Sequence, residues 1–310
     1  AAVLTVIMML QSAIACSAAY AGEKTLDEKL YNEAGNALKS LGVISEYSDL
    51  NVEIENMTRF EFVKLIVDLF ETAGISFDSA NGTFSDIDHS TELAKTVDKA
   101  IAAGLVYGDG DSQFRADDII TRNEAVSVAL NALGYNAIKS YMTYPQYLAI
   151  ADRLDLTDGV YAADGLMSLG DAYVLIYNML TTDVLEADSF TVKNGNTNVS
   201  YEKSGKNFLQ AYFNAEYTEG IMTANQYAHI SRDEQAEDYC YILSDDGEVK
   251  INCDDSTVDT YLGYAVKAYY RTVNSKNCLL FMWADDTNDV TVIDGEDVTG
   301  YDFSSKSIKY

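Results

Sequence analysis

The chain has 310 residues, and its 21 Lys and Arg stand against 49 Asp and Glu for a net charge of −28. That balance argues against a nucleic-acid partner and against adsorption to anionic lipid, because no basic stripe is present to neutralise phosphates. Hydrophobic residues at 48% and aromatic residues at 11% suffice for real cores, and the length fits roughly two domains.

Residues 1–15 are apolar and uncharged, and Ala19-Tyr-Ala21 has the small-residue pattern of a cleavage site before Gly22. Residues 1–21 read as a secretory signal peptide truncated at its start, since the initiator Met and a basic n-region are missing. No later stretch is long enough for a membrane span. Beyond the signal stand Cys240, Cys253 and Cys278, an odd number that is no disulfide framework. They read as small buried hydrophobes, with Cys240 and Cys253 facing each other across a hairpin as the open alternative.

Leu26, Leu30, Tyr31, Ala34 and Leu38 form a helical stripe, and Gly42 suits the left-handed position that closes a helix. Gly104 and Asp155 stand at corresponding places further on. Thr58-Arg-Phe-Glu61 is a capping box, in which the Thr hydroxyl takes a free helix amide and the Glu reaches back. Thr121-Arg-Asn-Glu124 repeats it, and Ser168-Leu-Gly-Asp171 repeats it with a shorter acid. Counted from each cap, positions +5, +8, +9 and +12 are Val63, Ile66, Val67 and Phe70, then Val126, Ala129, Leu130 and Leu133, then Tyr173, Ile176, Tyr177 and Leu180. Three apolar helix faces at matching offsets are an internal repeat. Tyr144-Pro145 opens a further helix.

The period then changes. Residues 184–206 carry turn signals and read as a linker with one edge strand, Ser189 to Lys193. Tyr239 to Leu243 and Glu248 to Cys253 flank Asp245-Asp-Gly247, a strong hairpin signal. Tyr264 to Tyr270, Cys278 to Trp283 and Asp289 to Ile293 read as further strands, and the last residues as a strand stopped in the middle. The expected class is therefore α+β: an N-terminal all-α module, then a small all-β domain over 207–310, a barrel or curled sheet that is truncated at its end.

Thr83-Phe-Ser-Asp86, Ala102-Ala-Gly-Leu-Val-Tyr-Gly-Asp-Gly-Asp-Ser-Gln-Phe114 and Ile120-Thr-Arg-Asn-Glu-Ala125 together resemble an S-layer homology (SLH) repeat, with its F-S-D lead-in, its A-G-L turn, its G-D-G-x-x-F loop and its T-R-x-E signature. The likeness is specific over residues 83–134. It is partial over 26–74, where the lead-in is missing, and weaker over 141–182, where Ser168-Leu-Gly-Asp171 replaces T-R-x-E. Leu262 to Tyr270 resembles a β module that follows such repeats in surface proteins. The resemblance implies three repeats, 22–75, 76–138 and 139–183, packed as a pseudo-threefold helical bundle. It also implies non-covalent binding to a secondary cell-wall polysaccharide or peptidoglycan-linked polymer, often through a pyruvylated sugar, and a place in the cell wall or surface layer of a Gram-positive-type bacterium.

Capping explains Thr58, Thr121, Glu61 and Glu124 but not Arg59 and Arg122, since a cation at a helix start opposes the dipole. Two readings stand open. A guanidinium beside free helix amides makes an anion pocket, or each Arg pairs with a nearby carboxylate. The resemblance favours binding by all six residues, with Gly108, Asp109 and Gly110 as a groove loop, while Leu169 leaves the third helix start without this contact. Asp109-Gly-Asp-Ser-Gln113 lacks the bidentate Glu of a calcium loop, and His89 and His229 have no ligand-spaced partners, so no metal or cofactor is expected. No nucleophile elbow or phosphate loop is present, and the chain reads as a binder and not an enzyme. The rival readings are a surface-anchored enzyme with its catalytic part in or beyond the β domain, and a self-associating structural subunit of a surface layer.

Overall fold

The computed structural model describes residues 28–45, 55–78, 84–88, 90–107, 112–193, 196–230, 238–253, 256–285, 288, 299–302 and 307–309. The signal-peptide segment, the groove loop Gly108 to Gly110, His89 and the predicted strand Asp289 to Ile293 lie outside them. The chain divides into two compact units, 1–216 and 217–310, helical first and sheet-rich second. Among the described residues no helix is long and apolar enough to cross a membrane.

The first unit holds α1 (Glu28–Ser40), α2 (Arg59–Thr72), α3 (Glu92–Ala102), α4 (Arg122–Ala132), α5 (Tyr144–Arg153) and α6 (Leu169–Leu180). The residues at the matching offsets after each cap are all buried except Tyr177, which is half-buried. Burying one such apolar side chain contributes about 1.5–3 kcal/mol, so these faces supply most of what holds the unit together. The run Ala125 to Ala132 of α4 is buried throughout, as is Gly170 to Ile176 of α6, so both helices are enclosed on all sides.

Helix ends close as the sequence reading expects. Val43, Leu105 and Leu156 donate their amides to the carbonyls of Leu38, Ala100 and Ala151, at 2.9, 2.9 and 3.0 Å. This is the six-to-one bond of a Schellman closure, and it needs a left-handed residue just before the donor. Gly42, Gly104 and Asp155 fill that place with φ of +75, +68 and +55. A further repeated feature is not evident from caps and stripes. Asn131 and Asn178, each ten residues past a cap, donate their side-chain amides to the carbonyls of Leu105 and Leu156 at 2.7 and 3.1 Å. The corresponding residue of α2, Asp68, has no N–H to give and pairs with Lys64 instead.

The residues just before the caps meet at the centre. Met57 donates its amide to the Met167 carbonyl at 3.0 Å, Met167 to Ile120 at 3.0 Å, and Ile120 back to Met57 at 2.9 Å. Outside this ring Arg59 donates to Asp118 and Leu169 to Glu55, at 2.9 and 2.7 Å. The three ring side chains are buried. Each is apolar at the position before a cap, where a hydrophobic residue fixes the entry of the chain into its helix.

The F-S-D lead-in serves the next loop. Phe84 is buried against Phe114, and the Asp86 carboxylate accepts from the amides of Phe114 and Arg115 at 2.8 and 2.7 Å. Burial works against the Asp86 charge, but those two amides prevail and hold the carboxyl below its ordinary range.

The stretch read as a linker with one edge strand folds differently. β1 (Asp183–Lys193) and β2 (Asn196–Asn207) form a long antiparallel hairpin with Lys193 opposite Asn196. Asn194 and Gly195, read as a linker turn, lie outside the described residues, and the polar sequence of β2 is what hid the pairing. A short helix, α7 (Phe208–Tyr212), follows. Phe208 and Tyr212 pack on Phe70 of α2 with ring centroids 5.1 and 5.0 Å apart, which ties residues assigned from sequence to the β domain to the helical unit.

The second unit is a closed five-stranded barrel in the order β3 (Glu216–Ala224), β4 (Tyr239–Ser244), β5 (Gly247–Asn252), β7 (Lys276–Ala284), β6 (Ala265–Val273). The β4–β5 hairpin has Ser244 opposite Gly247, as the Asp-Asp-Gly signal predicts. A parallel contact, Asn252 with Cys278, joins β5 to β7, and bonds between Met222 and residues 263–264 close the barrel. Its core holds Met222, Cys240, Ile242, Ile251, Val266, Ala268 and Tyr270. Cys240 is a buried thiol with Cys253 packed near it, and both are free, as is Cys278. β8 (Gly300–Asp302) pairs with β9 (Ser307–Lys309). His229 is buried in this unit, 3.7 Å from a Glu248 oxygen and against the Tyr241 ring.

Two stability outcomes follow from this packing. A Cβ at Gly170 would stand 2.8 Å from a ring carbon of buried Tyr31, so Gly170→Ala should cost about 1–3 kcal/mol in thermal or urea unfolding. An unchanged midpoint would show that α1 does not pack on α6 in this way. The Asp86 carboxyl is depressed in the fold, so its stabilisation is present above the unfolded pKa of about 3.9 and is lost as pH falls through the folded value. Asp86→Asn should therefore lower stability near neutrality and flatten the acid limb of a stability–pH curve; parallel curves would refute the latch.

Candidate functional site

The three capped helix starts stand around the central ring, and each cap forms as the sequence spacing requires. Thr58 accepts the Glu61 amide at 3.2 Å, and Glu61 accepts the Thr58 amide at 2.9 Å. The corresponding distances for Thr121 and Glu124 are 3.3 and 3.0 Å. For Ser168 and Asp171 they are 3.1 and 3.2 Å.

What faces these caps differs from one to the next. The Arg59 guanidinium donates from Nε to the Phe114 carbonyl at 2.8 Å, lies over the Phe114 ring, and pairs closely with Glu124. The Arg after the first cap thus clamps the acid of the second. Burial opposes the Glu124 charge, but the Thr121 amide and Arg59 together hold its carboxyl below the ordinary range. Arg122 makes a looser pair, 3.6 Å from Asp152, whose carboxylate also accepts from Thr157 at 2.9 Å. Among the described residues the third cap has no arginine opposite. Asp171 is buried and accepts from the Tyr161 amide at 2.6 Å and the Tyr31 hydroxyl at 3.2 Å, so a tyrosine of α1 occupies the side where a cation would stand. Glu61 remains an exposed carboxylate whose charge reaches Tyr173.

The structure therefore brings Arg59, Thr121 and Glu124 into one cluster through Phe114, and sets Thr58 and Glu61 at a separate helix start. Arg122 lies beside Glu124 in sequence but is turned to Asp152. Among the described residues no group of His, Cys, Asp and Glu could hold a metal ion.

Sequence reasoning missed what lies next to the second cap. Tyr144, at the first position of α5, donates its hydroxyl to the Asn123 carbonyl at 3.1 Å. Burial raises its pKa, as does the Glu124 charge, while the Ser127 hydroxyl and Arg59 work the other way. Behind it the 3-10 segment Tyr135–Tyr141 carries Lys139 in among tyrosines. The one sequence signal was the density of tyrosine between 135 and 147, which fits core packing equally well.

Comparison with known proteins places these features. The S-layer homology domain model matches residues 83–126, which contain the F-S-D lead-in, α3 and the second capped helix start. Over 163 residues, 46% of this chain and 15% of its own length, Exoglucanase XynX of Acetivibrio thermocellus is 28% identical. Middle cell wall protein of Brevibacillus brevis is 23% identical over 56% of this chain and 16% of its own length. Amylopullulanase of Thermoanaerobacterium thermosulfurigenes is 26% identical over 53% of this chain and 10% of its own length. The matched stretch is thus a small part of each relative. The lead-in, the capped helix start and the match over 83–126 agree, and the chain carries an S-layer homology domain there.

Proposed function

We propose that this chain anchors an exported protein to the bacterial cell wall through three S-layer homology repeats, 22–75, 76–138 and 139–183. They bind a secondary wall polysaccharide or peptidoglycan-linked polymer non-covalently, and the bound sugar is anionic, such as a pyruvylated one. The observation that carries the reading is the ring of Met57, Ile120 and Met167, which sets three capped helix starts side by side and places Arg59 and Arg122 at two of them. Net charge supports it indirectly. A chain of −28 cannot attract an anionic polymer by diffuse charge, so its binding cations must be local.

Within this reading the two arginines differ. Arg59 has its fork committed to Phe114 and Glu124, and it acts by holding the second helix start in place. Arg122, with one long ion pair, is the guanidinium that a ligand carboxylate can recruit. The module binds and does not catalyse. The names of two relatives, an exoglucanase and an amylopullulanase, favour a second reading in which such a module holds a catalytic part in or beyond the β domain. The name Middle cell wall protein favours a third, a self-associating structural subunit.

Sedimentation of the chain with purified sacculi tests the anchoring. Wild type should co-sediment, and a chain left in the supernatant would end this reading. Arg122→Ala should weaken attachment about ten- to a hundredfold at unchanged thermal stability, the loss of a charge-assisted contact of about 1.5–3 kcal/mol. Leu169→Ala should bind as wild type. Thr58→Ala and Thr121→Ala should each cost about 1 kcal/mol of stability, as lost caps do, and Arg59→Ala should melt early. An Arg59→Ala chain that melts normally and binds poorly would make Arg59 a ligand contact instead.

A further inference from the structure

Lys139, like Lys250 of the second unit, lies against tyrosine rings. Arg59, Arg122, Lys64, Lys95, Lys99 and Lys267 each pair with a carboxylate. Among the described residues Lys139 pairs with none, although Asp and Glu outnumber Lys and Arg by 49 to 21. Its ammonium lies 5.5, 5.9 and 5.0 Å from the ring centroids of Tyr107, Tyr144 and Tyr147. Its one hydrogen bond among the described residues goes to the Ser127 hydroxyl at 3.3 Å.

An ammonium has three N–H donors, and aromatic faces satisfy its charge only in part. Burial pulls the Lys139 pKa below the ordinary lysine value, because it penalises the charged form. The surroundings are closed on one side and open on the other. Tyr147 and Ser127 are buried, and Tyr147 is locked by its hydroxyl bond to Asn131 at 2.7 Å. Tyr107 and Tyr144 are 56% and 45% exposed. Neither is loose, because Asn136 donates to the Tyr107 hydroxyl at 3.0 Å and the Tyr144 hydroxyl is bonded to Asn123. The lysine occupies the place a cationic ligand would take among the rings, so the site is built for an anion. Exposed, held tyrosine rings are also the surface on which a sugar face stacks.

We infer that Lys139, Tyr107 and Tyr144 form an acidic-glycan subsite: the ammonium takes the carboxylate or phosphate of the glycan, and the two exposed rings take its sugar faces. This rests on the anchoring reading and gives it a charge contact outside the helix starts.

Sacculus sedimentation and affinity electrophoresis on the whole chain test it, with gels containing polygalacturonate, poly(glycerol phosphate) or dextran. Wild type should be retarded by one of the two anionic polymers and not by dextran; which one retards it tells carboxylate from phosphate. Lys139→Gln and Lys139→Met should lose at least about tenfold in binding, Lys139→Arg should recover much of it, and Tyr107→Ala should weaken it too. Thermal melting guards against a folding defect, since Lys139→Met keeps the stem packed between the rings. If wild type holds to sacculi and Lys139→Met holds equally well, the subsite is wrong and the anchoring stands. If wild type ignores sacculi yet shows Lys139-dependent retardation by an acidic polymer, the subsite stands and the anchoring falls. Equal retardation by dextran, or none by any polymer, overturns the subsite.

Discussion

The cyclic exchange of amide bonds among Met57, Ile120 and Met167 is the constraint on which the helical unit depends. A buried backbone amide or carbonyl left without a partner costs about 1–3 kcal/mol, and the three ring bonds leave none of the amides involved unpaired. The same bonds fix where each chain segment enters its helix. The residue after each ring member is a cap, half-buried for Thr58 and Thr121 and buried for Ser168. A buried ring and the caps that follow it are thus parts of one backbone geometry.

Charge is distributed along a path rather than in a patch. Asp86 holds the amide of Phe114, the Phe114 carbonyl and ring hold Arg59, Arg59 pairs with Glu124, and Glu124 completes the cap on Thr121. Each group in that path is bonded to the next, which ties the second helix start to the lead-in and to Arg59 of the first. The third helix start departs from this scheme for a packing reason. Tyr31 lies on Gly170 and donates to Asp171, so α1 fills the space that the T-R-x-E arrangement leaves for a cation.

The second unit solves a different problem. A barrel has no free edge, and closing five strands with one parallel contact and a hairpin on either side removes the exposed ladder that an acidic, exported sheet would otherwise present. Its thiols fit that role. A hydrogen bond with Cys253, and then burial, hold the Cys240 thiol well above its ordinary pKa, the opposite of what a reactive thiolate needs.

Local rules were sufficient for much of this molecule. Caps, helix closures and apolar offsets are set within a dozen residues, so Thr58, Thr121, Ser168, Gly42, Gly104 and Asp155 declare themselves in the chain, as does the Asp-Asp-Gly hairpin. The hairpin over 183–207 was legible only as one edge strand, because the polar second strand, NTNVSYEKSGKN, looks like a linker. The partners of charged groups escaped for a deeper reason. Nothing in the chain says that Arg59 will meet Glu124 across 65 residues, that Tyr31 will take Asp171 across 140, or that Lys139 will find three rings. Sequence by itself determined the helix starts, their apolar faces and the family likeness, because hydrogen bonds and periodicity there are short-range. Tertiary structure alone decided which cations are neutralised and which stay available, because ion pairing depends on distance in space, and in a chain with so many acids every pairing is chemically allowed until the fold chooses.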